Sequence, residues 1–146
     1  MISLLKPELF KPKFEVVGCY LEHEGTFLLL HRQDHKPQGG TWDIPGGKIH
    51  AGESMLDAVE REIREETGCV VAQSAIIFFN TYYVKYPEFD FTYHVFHHTL
   101  TEKPLITPNI DEHSEYRWVT PQQALTMSLI PDEDFCLKLY FKDALQ

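Results

Sequence analysis

Glu62, Glu65 and Glu66 stand at i, i+3 and i+4 in a stretch, Ser54 to Thr67, that holds no Gly or Pro and is rich in Glu, Arg, Ala, Leu and Met. That composition predicts a helix. At 3.6 residues per turn the three carboxylates then project within roughly 100° of one another on one face. Like charges so placed disfavour an isolated helix by roughly 0.2–0.5 kcal/mol per pair, so a partner of opposite sign is needed. A hard divalent cation meets the need: Mg²⁺ or Mn²⁺ prefers carboxylate oxygens and keeps waters, leaving positions for substrate phosphates. The opposite face carries Leu56, Val59 and Ile63, which reads as the buried stripe.

The elements on either side must hold that face in place. Upstream, Trp42-Asp43-Ile44-Pro45-Gly46-Gly47 reads as a short strand entering a tight turn. Gly46 and Gly47 there permit dihedrals and a close backbone approach that a Cβ forbids. Gly52 allows a further bend, Glu53 or Ser54 can cap the helix, and Gly68 suits its C-terminus. Taken singly, the glutamates would be a solvated surface helix. The turn, Glu53 and Arg61 standing in register with them argue otherwise.

Gly47, Glu53 and the run Arg61-Glu62-Ile63-Arg64-Glu65-Glu66-Thr67-Gly68-Cys69 resemble the Nudix hydrolase box at every fixed position. Cys69 is a soft departure, a small hydrophobe where the family places a larger aliphatic residue. The resemblance implies an α/β/α sandwich with a mixed β-sheet and Mg²⁺-dependent cleavage of a diphosphate linkage, with Mn²⁺ as a substitute. It implies Glu62, Glu65 and Glu66 as catalytic metal ligands together with the carbonyl of Gly46. It also implies a structural ion pair between Glu53 and Arg61. The family takes its general base either from the box or from a later loop. Asp111, Glu112 and Glu115 precede Trp118, and Glu115 is the candidate outside the box.

The expected partner is a small nucleoside-diphosphate-type molecule, first of all a nucleoside triphosphate. ADP-ribose, sugar nucleotides and dinucleoside polyphosphates are the alternatives. A noncatalytic nucleotide-sensing module would be expected to lose a box glutamate, and none is lost. Arg32, at the end of an apolar run, is a candidate phosphate contact. Tyr83 and Tyr86 are candidate stacking surfaces for a base, with Tyr82 and Phe89 beside them. His94 and His98 share a face if their run is a strand, but no Cys partners them at zinc spacing.

The chain's 146 residues suit one domain, 1–146, and 43% hydrophobic with 13% aromatic residues argues for a packed globule. A net charge of −9 argues against nucleic-acid or anionic-membrane binding. Three widely spaced cysteines, Cys19, Cys69 and Cys136, read as reduced thiols, and the broken segment Met1 to Phe14 reads as no signal peptide, so a cytoplasmic monomer or homodimer is expected. Phe14–Leu21 and Thr26–Arg32, joined through His23-Glu24-Gly25, predict a β-hairpin, followed by a polar loop from Gln33 to Thr41. Further strands are expected at Cys69–Phe79, Thr81–Val84, Phe91–Leu100 and Glu115–Val119. Helices are expected at Pro121–Leu125 and Asp132–Leu145, the last amphipathic through Phe135 and Leu139.

Overall fold

The computed structural model describes residues 1–146. Its strands are β1 (Ile2–Ser3), β2 (Pro12–His23), β3 (Thr26–Arg32), β4 (Trp42–Asp43), β5 (Gly46–Lys48), β6 (Ile77–Lys85), β7 (Asp90–Thr99) and β8 (His113–Val119). Its helices are α1 (Met55–Thr67), α2 (Pro121–Ala124) and α3 (Glu133–Tyr140). No helix is long and apolar enough to cross a membrane.

Long, β-branched β2 organises the sheet, in the order β1-β6-β7-β2-β3-β4, with β5 added to β2 and β8 to β3. β2 runs parallel to β7 from Pro12 to Glu22 and antiparallel to β5 and β3, so the sheet is mixed. The β2–β3 hairpin turns through Glu24 and Gly25, both at positive φ, as a two-residue primed turn requires.

Central strands buried on both faces explain why FEVVGCYL and TFLLLHR are nearly continuous apolar runs. Val17, Cys19, Leu21, Leu28 and Leu30 meet Ala58, Val59 and Ile63 of α1 on one face. Tyr20, Phe27 and Leu29 meet Ala124, Cys136 and Leu137 on the other. Helices thus cover both sides, giving the expected α/β/α sandwich. Ser54 caps α1 by accepting the Asp57 N–H at 3.1 Å, and Gly68 ends it in the left-handed conformation at φ 80°.

Three expectations fail for local reasons. Cys69–Ile76 is not strand: the chain leaves Gly68 with the Cys69 N–H donated to Thr67 Oγ1, and Gln73 opens a short 3₁₀ turn and donates to Asp57. Val71 and Ile76 cover α1 instead of alternating, and β6 absorbs the expected Thr81–Val84 strand. The last helix ends at Tyr140, and its buried face is Glu133, Cys136 and Leu137, with Phe135 41% exposed. Finally, Gly46 and Gly47 lie in extended β5, not in a positive-φ turn. Only close approach explains them: a Cβ on Gly46 would strike the Val17 carbonyl oxygen, and one on Gly47 would lie 2.5 Å from Glu62 Oε1.

Gly46→Ala therefore forces backbone apart where β5 joins β2. Urea denaturation should show a loss of about 1–3 kcal/mol, and an unchanged midpoint would contradict the packing described.

Candidate active site

The polar face of α1 and strand β5 enclose a cavity of about 450 Å³ with no hydrophobic residue in its wall. Glu62, Glu65 and Glu66 enter it from α1, Gly46 to Lys48 from β5, Arg32 and Lys36 from the end of β3 and the loop after it, and Asn109 and Glu112 from the approach to β8. Helical spacing thus does what the sequence suggests and brings the three box carboxylates to one place.

They are not equivalent. Glu62 and Glu66 are 9% and 5% exposed, whereas the Glu65 side chain is 51% exposed. Burial pushes the Glu66 carboxyl well above the usual range, with the Glu62 charge adding to it. Burial also raises Glu62, and the adjoining Arg61 guanidinium opposes that rise. Glu66 Oε1 accepts the Gly46 N–H at 2.6 Å. Since Pro45 and Gly47 bond or pair toward β2, the N–H of Gly46 points the other way, and a strand residue's carbonyl leaves on the same side as its N–H. The Gly46 carbonyl accordingly faces the carboxylates.

Arg61 ties the loop to the helix. Its Nε and Nη2 donate to Glu53 at 2.7 and 3.0 Å, Nη2 also donates to the Lys48 carbonyl at 3.1 Å, and Nη1 reaches Glu62 and Glu65 at 2.8 and 3.2 Å. Glu53 in turn accepts the His50 N–H at 3.0 Å, and the Arg61 guanidinium, with that N–H, holds its carboxyl down to about 2. The guanidinium is therefore a fork that sets the angle of two carboxylates as well as a clasp on the loop.

A further set of potential metal-ligand atoms stands at and behind this wall. Ligand atoms of Glu66, Glu112 and His113 lie within 4.8 Å of one another. His113 is 3% exposed, its Nδ1 has no hydrogen-bond partner, and that atom sits 3.8 Å from Glu66 Oε2. Burial, reinforced by Arg32, His31 and Lys36, pushes the imidazole down to about 4, so it is neutral near pH 7. Converging carboxylate oxygens beside a backbone carbonyl and a neutral imidazole fit a divalent cation.

Two sequence candidates lie elsewhere. Glu115 stands opposite His31 on β8, half-exposed and 3.3 Å from Arg117, outside the cavity wall. The register shifts where His113 pairs with Arg32, and of the acids before Trp118 it is Glu112 that lines the chamber. Tyr83 points to the sheet face away from Val84, with its ring edge-on to Phe10 at 5.3 Å. It lines neither cavity. His94 is engaged between Glu15 and Thr81, each at 2.8 Å.

Tyr86 and Arg32 do reach a cleft. A second cavity, about 260 Å³, lies between β2, β7 and the start of α3, walled by Phe14, Tyr86, Phe89, Phe91 and Tyr93 and closed by Asp43 and Glu133. Arg32, Gly46, Gly47 and Lys48 line both cavities. Asp43, Glu133 and Lys48 went unread in the sequence, since a charge at a strand end or a helix start looks like any solvated residue until the sheet closes over it.

If Arg61 orients the carboxylates, Arg61→Ala should weaken Mg²⁺ or Mn²⁺ binding by about 10–100-fold in calorimetry. An exposed pair worth only ~0–1 kcal/mol would leave the affinity within a few-fold of wild type.

Residues 12–139 match the family model of the NUDIX domain. The CTP pyrophosphohydrolase of Escherichia coli (strain K12) is 32% identical over 119 residues, 80% of this chain and 83% of that protein. An ADP-ribose pyrophosphatase of Methanocaldococcus jannaschii is 36% identical over 68 residues, 47% of this chain and 40% of its own. The crystal structure of a MutT protein from Methanosarcina mazei Go1 superposes with a TM-score of 0.78 at 27% identity, covering 95% of this chain and all of that one. The residues matched include the carboxylate helix, the Arg61 clasp and the strands that carry both cavities, and the chain is therefore a Nudix hydrolase, of the family whose members act on phosphoanhydride bonds in nucleotides.

Proposed function

We propose that the chain is a Mg²⁺-dependent nucleoside triphosphate pyrophosphohydrolase, with Mn²⁺ as a competent substitute. The observation that carries this reading is the junction of the two cavities: a carboxylate-lined chamber and an aromatic one share Arg32, Gly46, Gly47 and Lys48. A nucleoside triphosphate has the matching division, with charged phosphates at one end and a flat base at the other. Lys48, whose Nζ lies 4.3 Å from the Phe14 ring centroid, stands between the two ends with Arg32 and supplies positive charge for the phosphates that cross the junction. The likeness to the E. coli CTP pyrophosphohydrolase supports a triphosphate, and the chain covers most of that relative.

Glu62, Glu65, Glu66 and the Gly46 carbonyl would hold the cation, with Arg61 fixing the angles of Glu62 and Glu65. When bound, a divalent cation neutralises phosphate oxygens and lowers the pKa of a water ligand. The chain itself positions the phosphate run and excludes competing orientations, which accounts for most of the barrier reduction in phosphoryl transfer. Glu112, at the chamber wall, is placed to take the proton of the attacking water. The water oxygen becomes bonded to phosphorus, the P–O–P bridge breaks, and a nucleoside monophosphate and pyrophosphate leave. Three cysteines outside any paired spacing support action in the reducing cytoplasm.

A panel of nucleoside triphosphates, ADP-ribose, sugar nucleotides and dinucleoside polyphosphates, with and without Mg²⁺, tests the reading. Pyrophosphate release from at least one triphosphate should exceed turnover of the others and vanish without metal. Glu62→Gln and Glu66→Gln should each lower kcat by roughly 10²–10³-fold. Preferential cleavage of ADP-ribose would move the assignment to that class, which the M. jannaschii relative supports over a shorter stretch.

The position of the two later acids gives a sharper outcome. Glu112→Gln should lower kcat by about 10²–10⁴-fold, while Glu115→Gln stays near wild type. The reverse ranking would show that the acid on β8, not the one before it, serves the reaction.

A further inference from the structure

The turn that carries Glu112 to the chamber has no core of its own. Between buried Ile106 and buried His113 no side chain is buried, and Ile110 is 63% exposed. Asn109 holds the turn together: its carbonyl accepts the N–H groups of Glu112 and His113 at 3.0 and 2.9 Å, and its Oδ1 accepts the Asp111 N–H at 3.2 Å. Such local bonds shape a turn without fixing it to anything. Only two hydrogen bonds tie residues 109–112 to a distant segment, and both come from Gln33. Its main-chain N–H donates to the Glu112 carbonyl at 2.8 Å, and its side-chain Nε2 donates to the Ile110 carbonyl at 2.7 Å.

Gln33 stands directly after β3, between Arg32 and the loop that brings Lys36 to the chamber wall. Its own carbonyl accepts the Lys36 N–H at 3.1 Å. One residue thereby joins the segments of two chamber side chains, the cation Lys36 and the acid Glu112. The Nε2 bond is exposed, so water replaces it at small cost and it adds little to folding stability. Its effect is geometric. Bonds to Ile110 and to Glu112 grip the turn at two points, and two points fix an orientation where one leaves a pivot. A group that takes a proton must keep within about 2.6–3.2 Å of it, and misplacement by about 1 Å costs about 10²-fold in rate.

We propose that Gln33 is a positioning residue for the hydrolysis: its side-chain amide latches the Asn109–Glu112 turn so that the Glu112 carboxylate stays aimed into the chamber. Gln33 lines neither cavity and acts only through the turn. The inference rests on Glu112 as the acid of the reading above. Gln33→Met keeps the length of the side chain and removes the donor, and it leaves both main-chain bonds in place. Lys36 therefore stays held, and the loss falls on the proton step, not on phosphate binding.

The triphosphate that the wild type cleaves best, assayed with Mg²⁺, gives the first readout. Gln33→Met should lower kcat by about 10–100-fold and leave KM within about threefold. Gln122→Met is the matched control, because Gln122 on α2 makes the same kind of exposed bond, Nε2 to the Ala144 carbonyl at 2.7 Å, outside both cavities. It should leave kcat unchanged. In a double-mutant cycle, adding Gln33→Met to Glu112→Gln should change kcat by less than about threefold, since the group it aims is already disabled. A full further loss in that background, or a raised KM with kcat unchanged, would overturn the proposal. The second readout needs no substrate: amide hydrogen exchange at Glu112 and His113, followed by NMR, should speed up by about 10-fold in Gln33→Met and not in Gln122→Met. Unchanged exchange would also overturn it, and Gln33→Ala serves if the methionine variant does not fold. Faster exchange in a protein that cleaves no triphosphate would support the latch and sink the hydrolase reading; triphosphate cleavage by Gln33→Met at the wild-type kcat would do the reverse.

Discussion

Two carboxylates, Glu62 and Glu66, are withdrawn from water on a helix whose other side is core, and the rest of the site follows from what compensates them. Burial of an ionised carboxylate is costly unless it is paired and hydrogen-bonded. Arg61 supplies the pairing for Glu62 at 2.8 Å, and the Gly46 N–H supplies a donor for Glu66 at 2.6 Å. Neither is enough for both groups, since Glu66 remains raised by its own burial and by Glu62. The helix is therefore left with a charge imbalance that a divalent cation would correct. That imbalance links the packing of Val59 and Ile63 into the core to the chemistry on the other side of the same turn of chain.

Backbone geometry around β5 serves that interaction more than it serves the fold. Gly46 and Gly47 occupy ordinary extended conformations, and their lack of side chains lets β5 sit against β2 on one side and against Glu62 on the other. The same three residues, Gly46 to Lys48, form the partition between the two cavities. Strand β2 completes the arrangement. Its one face packs on α1, while Phe14, Val16 and Tyr20 on the other approach the aromatic cavity and Glu133. A single strand pairing with β7 in parallel and β5 in antiparallel register thus sets the distance between the carboxylate chamber and the aromatic cavity.

How much of this could be read in the sequence depended on whether a signal was local. The α1 boundaries, the Ser54 cap, the Gly68 terminus, the β2–β3 hairpin and the convergence of Glu62, Glu65 and Glu66 all follow from neighbours within a few residues, and all were legible. Signals that depend on partners far along the chain were not. Glu112 reaches the chamber because of a register shift between β3 and β8, which no spacing before Trp118 announces. Tyr83 faces away from the aromatic cavity because its parity is set by pairing with Thr92 of β7, beyond a register shift between Phe78 and Asn80 that the aromatic cluster does not announce. Asp43 and Glu133 stand about ninety positions apart in the chain, and only the packing of α3 against the sheet brings both to the aromatic cavity.

The central claim is that the carboxylate chamber on the polar face of α1 gathers a doubly charged ion. Crystals soaked in Mn²⁺, with diffraction recorded at the manganese absorption edge, test it most directly. An anomalous difference peak among the oxygens of Glu62, Glu66 and the Gly46 carbonyl is the predicted result. No peak in that chamber at saturating Mn²⁺, or a peak only at sites remote from α1, would contradict it.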